Sequence, residues 1–514
     1  MPSDPKPASG LRLRLATLFF PPLGLLLLWR SSVKIWRKTV GTLGILLYSL
    51  LYAGVVAWLL VRFTGLEVEW RGGYVPRLTY HKTRPDYDAL ERDRAKSKSG
   101  TNGLLSLALP SKPGEEEATS KSASARSTTA IWPAFRGPRG DGVYDTKRIL
   151  TNWPTAGLRV LWRQPVGGGY ASFAIAEGRA FTVEQRRECE VATAYEIATG
   201  REVWTNSWTA HFEESMGGDG PRATPAYGSE KVYVVGAEGE FRCLDSRTGR
   251  SVWSHNILTE NQAEVPPWGV AASPLIVDDK VIVVSGAGRG KTILCYDKSS
   301  GQLRWSSLDD VTGHMSPMLA TLCGERQIIV CGQTRTIGLR IEDGKMLWEY
   351  PWQVLHNQRP IAQPVLLGTN RFALSAGYFT GCAALEVTRT QDGFSTRTVW
   401  KTTNLKNKFT SSIYWQGHIY GLDEDILTCL DAETGQRKWK DGRYGYGQLL
   451  LASGHLIILS GEGELALVKA TPERFQEIAR FPAIHGKTWN HLAIADGKLL
   501  ARNSAEMACF QIGP

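Results

Sequence analysis

CLDSRTGRSVW (243–253), CYDKSSGQLRW (295–305) and CLDAETGQRKW (429–439) are three copies of one pattern. AYEIATGREVW, ending at Trp204, and GLRIEDGKMLW, ending at Trp348, are two more. ALEVTRTQDGFSTRTVW, ending at Trp400, is a degenerate copy, and LVKATPERFQEIARF, ending at Phe481, has lost its Trp. From Trp204 through Trp253, Trp305, Trp348 and Trp400 to Trp439 the spacing runs between 39 and 52 residues. Periods of this size belong to propeller blades or solenoid units. Within a copy, an alternating strand ends at an Asp (Asp245, Asp297, Asp431) that caps a turn by accepting backbone N–H bonds. Gly249, Gly301 and Gly435 supply the positive φ that such a turn demands. A short return strand then delivers a Trp, whose flat face suits the wedge between neighbouring blades.

Each copy is preceded by a second hairpin, such as SPLIVDDKVIVV from Ser273, SSIYWQGHIYGL from Ser411 and HLAIADGKLLAR from His491. The others start near Ser172, Thr224, Ser316, Gln363 and Leu449, which makes eight. Third strands number eight when MACFQI (507–512) is included. Fourth strands number eight only when LRVLW (158–162) is included. The last blade therefore takes three strands from the C-terminus and its outer strand from 158–162, a closure that removes an open sheet edge. The expectation is an all-β, eight-bladed β-propeller over 131–514. Cys243, Cys295, Cys429 and Cys509 fall at one place in the repeat, as small buried strand residues.

Two apolar segments precede the repeats. GTLGILLYSLLYAGVVAWLLV (41–61) carries no charge and is long enough to cross a bilayer as a helix. LATLFFPPLGLLLLW (15–29) is shorter and carries Pro21 and Pro22, which suits a short kinked span or an interfacial segment. A basic stretch with Arg30, Lys34, Arg37 and Lys38 follows it in place of a cleavage site, so the anchor is retained rather than removed. Basic loops stay cytoplasmic, which places everything after Val61 outside the cytoplasm. No Cys precedes Cys189, so no lipid-attachment cysteine stands near the N-terminus. Residues 1–65 are thus expected to anchor the chain and 66–130 to link. Within the linker, 96–130 is rich in Ser, Thr, Lys, Gly and Glu and reads as a flexible tether.

The net charge of +10 is dispersed and gathers beside the apolar segments. No basic stripe with interleaved aromatics occurs, which argues against nucleic acid. SGAGRGKT (285–292) approaches a phosphate-binding loop, but it lies between two strands with no helix to present its N-terminus. Arg139-Gly140-Asp141 sits in a Gly-rich run and reads as a chance triplet. The nine His are scattered, with no HExxH pair for zinc. No CxxC or adjacent Cys pair occurs.

The AxDxxTGxxxW pattern resembles the repeat of the PQQ-repeat propellers of the quinoprotein alcohol dehydrogenase-like superfamily. WPAFRGPRGDGV (132–143), FEESMGGDGPRATP (212–225) and IYGLDEDILTCLDAETGQRKW (419–439) are similar to bacterial PQQ-like β-propeller repeat proteins, which resemble the outer-membrane assembly propeller lipoprotein family. The resemblance covers 132–512. It implies either a binding or scaffolding module or a quinoprotein dehydrogenase of alcohols or sugars. The enzymes hold pyrroloquinoline quinone (PQQ) under adjacent cysteines with Ca²⁺ on carboxylates, and this sequence matches neither set. A non-catalytic periplasmic module held in the inner membrane, with other envelope proteins as partners and no bound cofactor, is therefore expected; the quinone-dependent dehydrogenase is the alternative.

Inner strands of a propeller start at one mouth of the central channel. Residues at or before those starts are Glu213, Glu214, Arg222, Trp268, His314, Arg359, Lys408, Tyr446, Trp489 and His491. This cationic and aromatic set, with two acids, suits an anionic or aromatic ligand or a protein segment. The same residues would alternatively bond one another and plug the channel.

Overall fold

The computed structural model describes residues 10–73, 75–80, 82–105, 130–311 and 313–514. It divides into two units, Met1–Lys82 and Thr83–Pro514. In the first unit, the Ile35–Thr64 helix is long and apolar enough to cross a membrane. The shorter apolar segment forms two ten-residue helices, Gly10–Phe19 and Pro21–Arg30, broken at the proline pair. Each spans roughly 15 Å, half the hydrocarbon thickness.

The second unit is the eight-bladed propeller. Blade 1 consists of Ala174–Ala176, Arg179–Arg186, Cys189–Glu196 and Glu202–Thr209, ordered from the axis outward. Six more blades of the same antiparallel order follow: blade 2 (226–256), blade 3 (275–307), blade 4 (318–351), blade 5 (365–402), blade 6 (413–443) and blade 7 (448–482). Blade 8 takes Ala493–Ala495, Lys498–Arg502 and Glu506–Gln511 from the C-terminus, and its outer strand is Val160–Pro165. The closure read from the leftover strands holds, with Cys509 opposite Trp162.

The repeat works across blades. Asp245 Oδ1 accepts the backbone N–H of Arg247 (3.2 Å) and Thr248 (2.9 Å), and Asp297 and Asp431 act alike. Between third and outer strands the register slips beside the residue facing each repeat Trp: Ala194, Cys243, Cys295, Gly338, Ala384, Cys429 and Cys509. Small residues stand there because the indole lies across them. The ring then reaches the next blade. Trp204 Nε1 donates to Ser246 O (2.8 Å), Trp253 to Lys298 O (3.2 Å) and Trp305 to Ile341 O (3.0 Å). Trp162 donates to Ile197 O (3.0 Å) and so joins blade 8 to blade 1. The turn glycine is the seat of the preceding blade's ring: a Cβ on Gly249 would lie 2.5 Å from Trp204 Cε3. Trp348 departs from the pattern. It lies over Gly338 and donates to Gln327 Oε1 of its own blade, and blade 5 offers a hairpin at Thr390–Gly393 in place of the Gly seat. All eight cysteines are free thiols.

At the strand starts a belt of hydrogen bonds rings the channel. Ser172 N donates to Thr224 Oγ1 (3.0 Å), Thr224 N to Ser273 Oγ (2.9 Å), Ser273 N to Ser316 Oγ (2.8 Å) and Gln363 N to Ser411 Oγ (3.0 Å). Gln448 Nε2 bonds Trp489 O (3.0 Å), Asn490 Nδ2 bonds Ala171 O (3.1 Å), and Ser172 Oγ donates to His491 O (2.6 Å). The belt fixes what stands at the mouth.

Two stretches differ from their reading in sequence. Tyr87–Leu105 is a helix, so the part of the expected tether from Lys96 to Leu105 is helical; the rest of that tether, 106–129, lies outside the described residues. The helix is polar, and tertiary ion pairs hold it against blade 1: Asp88 and Glu91 with Arg187, and Arg94 with Glu202. The second difference is WPAFRGPRGDGV, which enters the channel. Ala130–Trp132 pairs with the inner strand of blade 1 and Val143–Tyr144 with that of blade 7. Arg136, at its tip, donates to Ser411 O (3.2 Å) and Ser412 O (2.8 Å) at the start of blade 6. The RGD triplet is internal to this plug, with Arg139 on Asp141 at 2.7 Å. SGAGRGKT is the hairpin loop between Lys280–Val284 and Ile293–Asp297.

Candidate channel-mouth site

Loops that precede the inner strands meet at the end of the channel opposite the plug. Tyr170, before blade 1, stacks on Trp489, before blade 8, with ring centroids 5.6 Å apart. Trp489 meets Phe409 (4.7 Å), and Phe409 meets Tyr446 (5.5 Å). Cations lie on this aromatic layer. Lys408 Nζ is 4.7 Å from the Tyr378 ring and 5.0 Å from Tyr446; Lys487 Nζ is 3.9 Å from Trp489; the Arg222 guanidinium is 4.4 Å from Phe212. Such contacts gain strength as water leaves them. Burial lowers the pKa of Arg222, Arg359 and Lys408, with Glu424 opposing at Lys408. His314 is held down to about 3 by burial and then by Arg359 and Arg222, so it is neutral at working pH.

The candidates read from sequence thus divide. Arg222, Lys408, Tyr446 and Trp489 belong to the layer, and His314 and Arg359 share its electrostatics. Trp268 borders a loop at the mouth, packing beside Gly217. Glu214 turns back on its own loop and accepts from Met216 N (3.1 Å) and Gly217 N. Glu213 points away, into an open depression of about 480 Å³ lined also by His211, Phe212 and Glu238. There it bonds His211 at 3.0 Å. His491 faces the plug: its ring meets Phe135 edge-on at 4.6 Å, and burial followed by Arg136 pushes its pKa well below the usual value. Those two residues are corrections to the site. Arg222 also differs from expectation, because its guanidinium is bonded to the carbonyls of Gly218 and Gly220.

Tyr170, Tyr378, Phe409 and Lys487 were not picked from sequence. Lys487 carried one signal, its place two residues before Trp489 at a strand start.

The residues present do not fit quinone with calcium. Six of the eight thiols are buried, and Cys243, Cys295, Cys429 and Cys509 stand opposite indoles within blades. Among the described residues no group of three or more His, Cys, Asp or Glu side chains stands close enough to hold a metal ion. The mouth gathers cations and aromatic rings, where Ca²⁺ needs clustered oxygen ligands.

The mouth-side face has a second property. Among the described residues, the large apolar side chains exposed on propeller loops are Met216 (40%), Val265 (45%), Val311 (45%), Leu355 (50%) and Phe379 (60%). All five sit on loops of the mouth side, in sequence from blade 1 to blade 5. The turns of the opposite face, between first and second and between third and outer strands, carry none.

Comparison with known proteins follows the fold. The family model described as outer membrane protein assembly factor BamB matches residues 142–265 and 187–441. BamB from Moraxella catarrhalis is 16% identical, with 69% of this chain and 99% of that chain covered and a TM-score of 0.51. The computationally designed Ika8 protein is 10% identical over 69% of this chain and 100% of its own, also at 0.51. The quinohemoprotein alcohol dehydrogenase ADHIIG from Pseudomonas putida HK5 is 12% identical, covering 75% and 80%, at 0.50. At such identities the likeness concerns the fold alone. No curated protein sequence matches the chain.

Proposed function

The chain belongs to the family of the outer membrane protein assembly factor BamB, and on that premise we propose that it is a membrane-anchored, non-catalytic propeller that docks envelope proteins on its mouth-side face. The observation that carries this reading is the confinement of loop-borne exposed apolar residues to that face. Apolar side chains exposed on the loops of one face and absent from the turns of the other favour the first face for protein contact. The aromatic and cationic layer at the centre adds residue types enriched at binding interfaces. The basic stretch from Arg30 to Lys38 supports a cytoplasmic loop, with the propeller on the periplasmic side of the inner membrane.

Replacing Val311, Leu355 and Phe379 together by Ser tests the docking face. All three are exposed, so melting is expected to hold while co-purification of envelope partners falls at least tenfold. The same change at Val252 and Leu303, exposed on outer strands, is the control. Equal loss from both sets contradicts the reading. For the quinone alternative, mixing with PQQ and Ca²⁺ is expected to leave the absorbance of free quinone unchanged.

A further inference from the structure

The loop 212–221, between blades 1 and 2, lies at the channel mouth and is held by groups from the loops before blades 8, 1 and 2. Lys487, from the loop before blade 8, donates to Met216 O (3.0 Å) and Gly217 O (2.7 Å). Tyr170, from before blade 1, donates its hydroxyl to Gly217 O. Arg222 closes the loop by donating to Gly218 O and Gly220 O. Two cations are thus bonded to carbonyls of one short loop. Gly218 and Gly220 stand at φ 106° and 82°, backbone that Gly adopts freely.

Two further observations bear on what this loop does. In the same mouth layer, Trp489 Nε1 and His314 Nε2 are buried with no hydrogen-bond partner among the described residues. An indole N–H left unpaired in a buried layer is a donor awaiting an acceptor. Met216, at the loop tip, is exposed. A backbone carbonyl meets ammonium or guanidinium as a neutral dipole, whereas a carboxylate adds the attraction of opposite charges and, toward guanidinium, a bidentate fit.

We propose that the 212–221 loop is a lid whose carbonyls stand in for the carboxylates of an acidic partner segment, which opens the mouth by taking over Lys487 and Arg222. The proposal rests on the mouth-side face being the docking face. It adds the chemistry of the segment docked at its centre: extended, rich in Asp or Glu, with carboxylates reaching Lys487, Arg222 and the Trp489 indole.

The test uses the full chain in detergent. Met216→Cys carries a bimane label, with Cys189 and Cys323, the two partly exposed thiols, replaced by Ser. Bimane is quenched by nearby indole, and Trp268 and Trp489 lie beside the lid. Hexaglutamate is expected to raise bimane emission at least twofold, and hexaglutamine to leave it unchanged. Lys487→Gln frees the lid, so its emission should start high and respond at least fivefold less to hexaglutamate. Lys487→Arg should restore the response. Tyr170→Phe, which removes one lid bond and little volume, should start at an intermediate level and keeps the test open should Lys487→Gln fail to fold. Binding is followed separately by the anisotropy of fluorescein-labelled hexaglutamate. Binding without a bimane response, or an unaltered response in Lys487→Gln, overturns the lid. Absence of binding overturns the acidic segment. The docking face itself is judged by the Val311, Leu355 and Phe379 variant, so the two readings fail separately.

Discussion

Gly249→Ala tests how one blade is locked to the next. Gly249 sits at φ 73°, where an L side chain costs about 1–2 kcal/mol. Its added Cβ would also lie 2.5 Å from Trp204 Cε3 and 2.6 Å from Cδ2, well inside van der Waals contact. The indole must move away from a seat where its N–H holds Ser246 O, and such overpacking costs a further ~1–3 kcal/mol. The expected loss is about 2–5 kcal/mol. Gly417 provides the comparison: its φ is 82°, and a Cβ there meets nothing within 4 Å. Gly417→Ala therefore carries the backbone cost alone, about 1–2 kcal/mol. Urea denaturation of both variants, followed by far-UV circular dichroism, reads the difference. A larger midpoint shift for Gly249→Ala supports inter-blade seating. Equal shifts would mean that the glycine serves its own turn only.

Trp204→Ala removes a ring that is 8% exposed and should cost about 3–5 kcal/mol, whereas Trp36→Ala, 57% exposed in the N-terminal unit, should leave propeller melting unmoved; comparable shifts would contradict the wedge. Deleting Val160–Pro165 strips blade 8 of its outer strand and bares the Glu506–Gln511 edge, so light scattering should report oligomers; a stable monomer would refute closure. His314 has its pKa lowered in the folded state to about 3, against 6.5 when exposed. Unfolded chain therefore takes up the proton first, and this contribution is full above about pH 6.5 and is lost as pH falls toward 3. The stability lost between pH 7 and pH 4 should shrink in His314→Gln; an unchanged loss would show that His314 does not titrate this way.

The blade count, the closing strand and the strand starts were legible because each is a local pattern repeated eight times. Ser172, Thr224 and Ser273 mark the belt, each two residues before its inner strand. What the turn glycines do was only half legible. Positive φ can be read from the turn itself, but the indole that sits on Gly249 belongs to Trp204, one blade away. The plug escaped notice because its ties are backbone pairing of Ala130–Trp132 and Val143–Tyr144 and the carbonyl bonds of Arg136, none of which leaves periodicity. The Tyr87–Leu105 helix is polar and takes its place from ion pairs with Arg187 and Glu202, partners invisible in a local window. At the mouth, the strand-start rule found Arg222, Lys408, Tyr446 and Trp489. It misplaced Glu213 and His491, since it gives position along the channel but not the direction a side chain takes.

Face-resolved photo-crosslinking in intact cells tests the central claim most directly. A benzophenone amino acid is placed at Phe379 or Val311 on the mouth-side loops, and at Arg247 or Glu433 on the opposite turns. The account predicts discrete adducts with envelope proteins from the first pair and none from the second. Adducts that form equally from Arg247 and Glu433, or only from them, would contradict it.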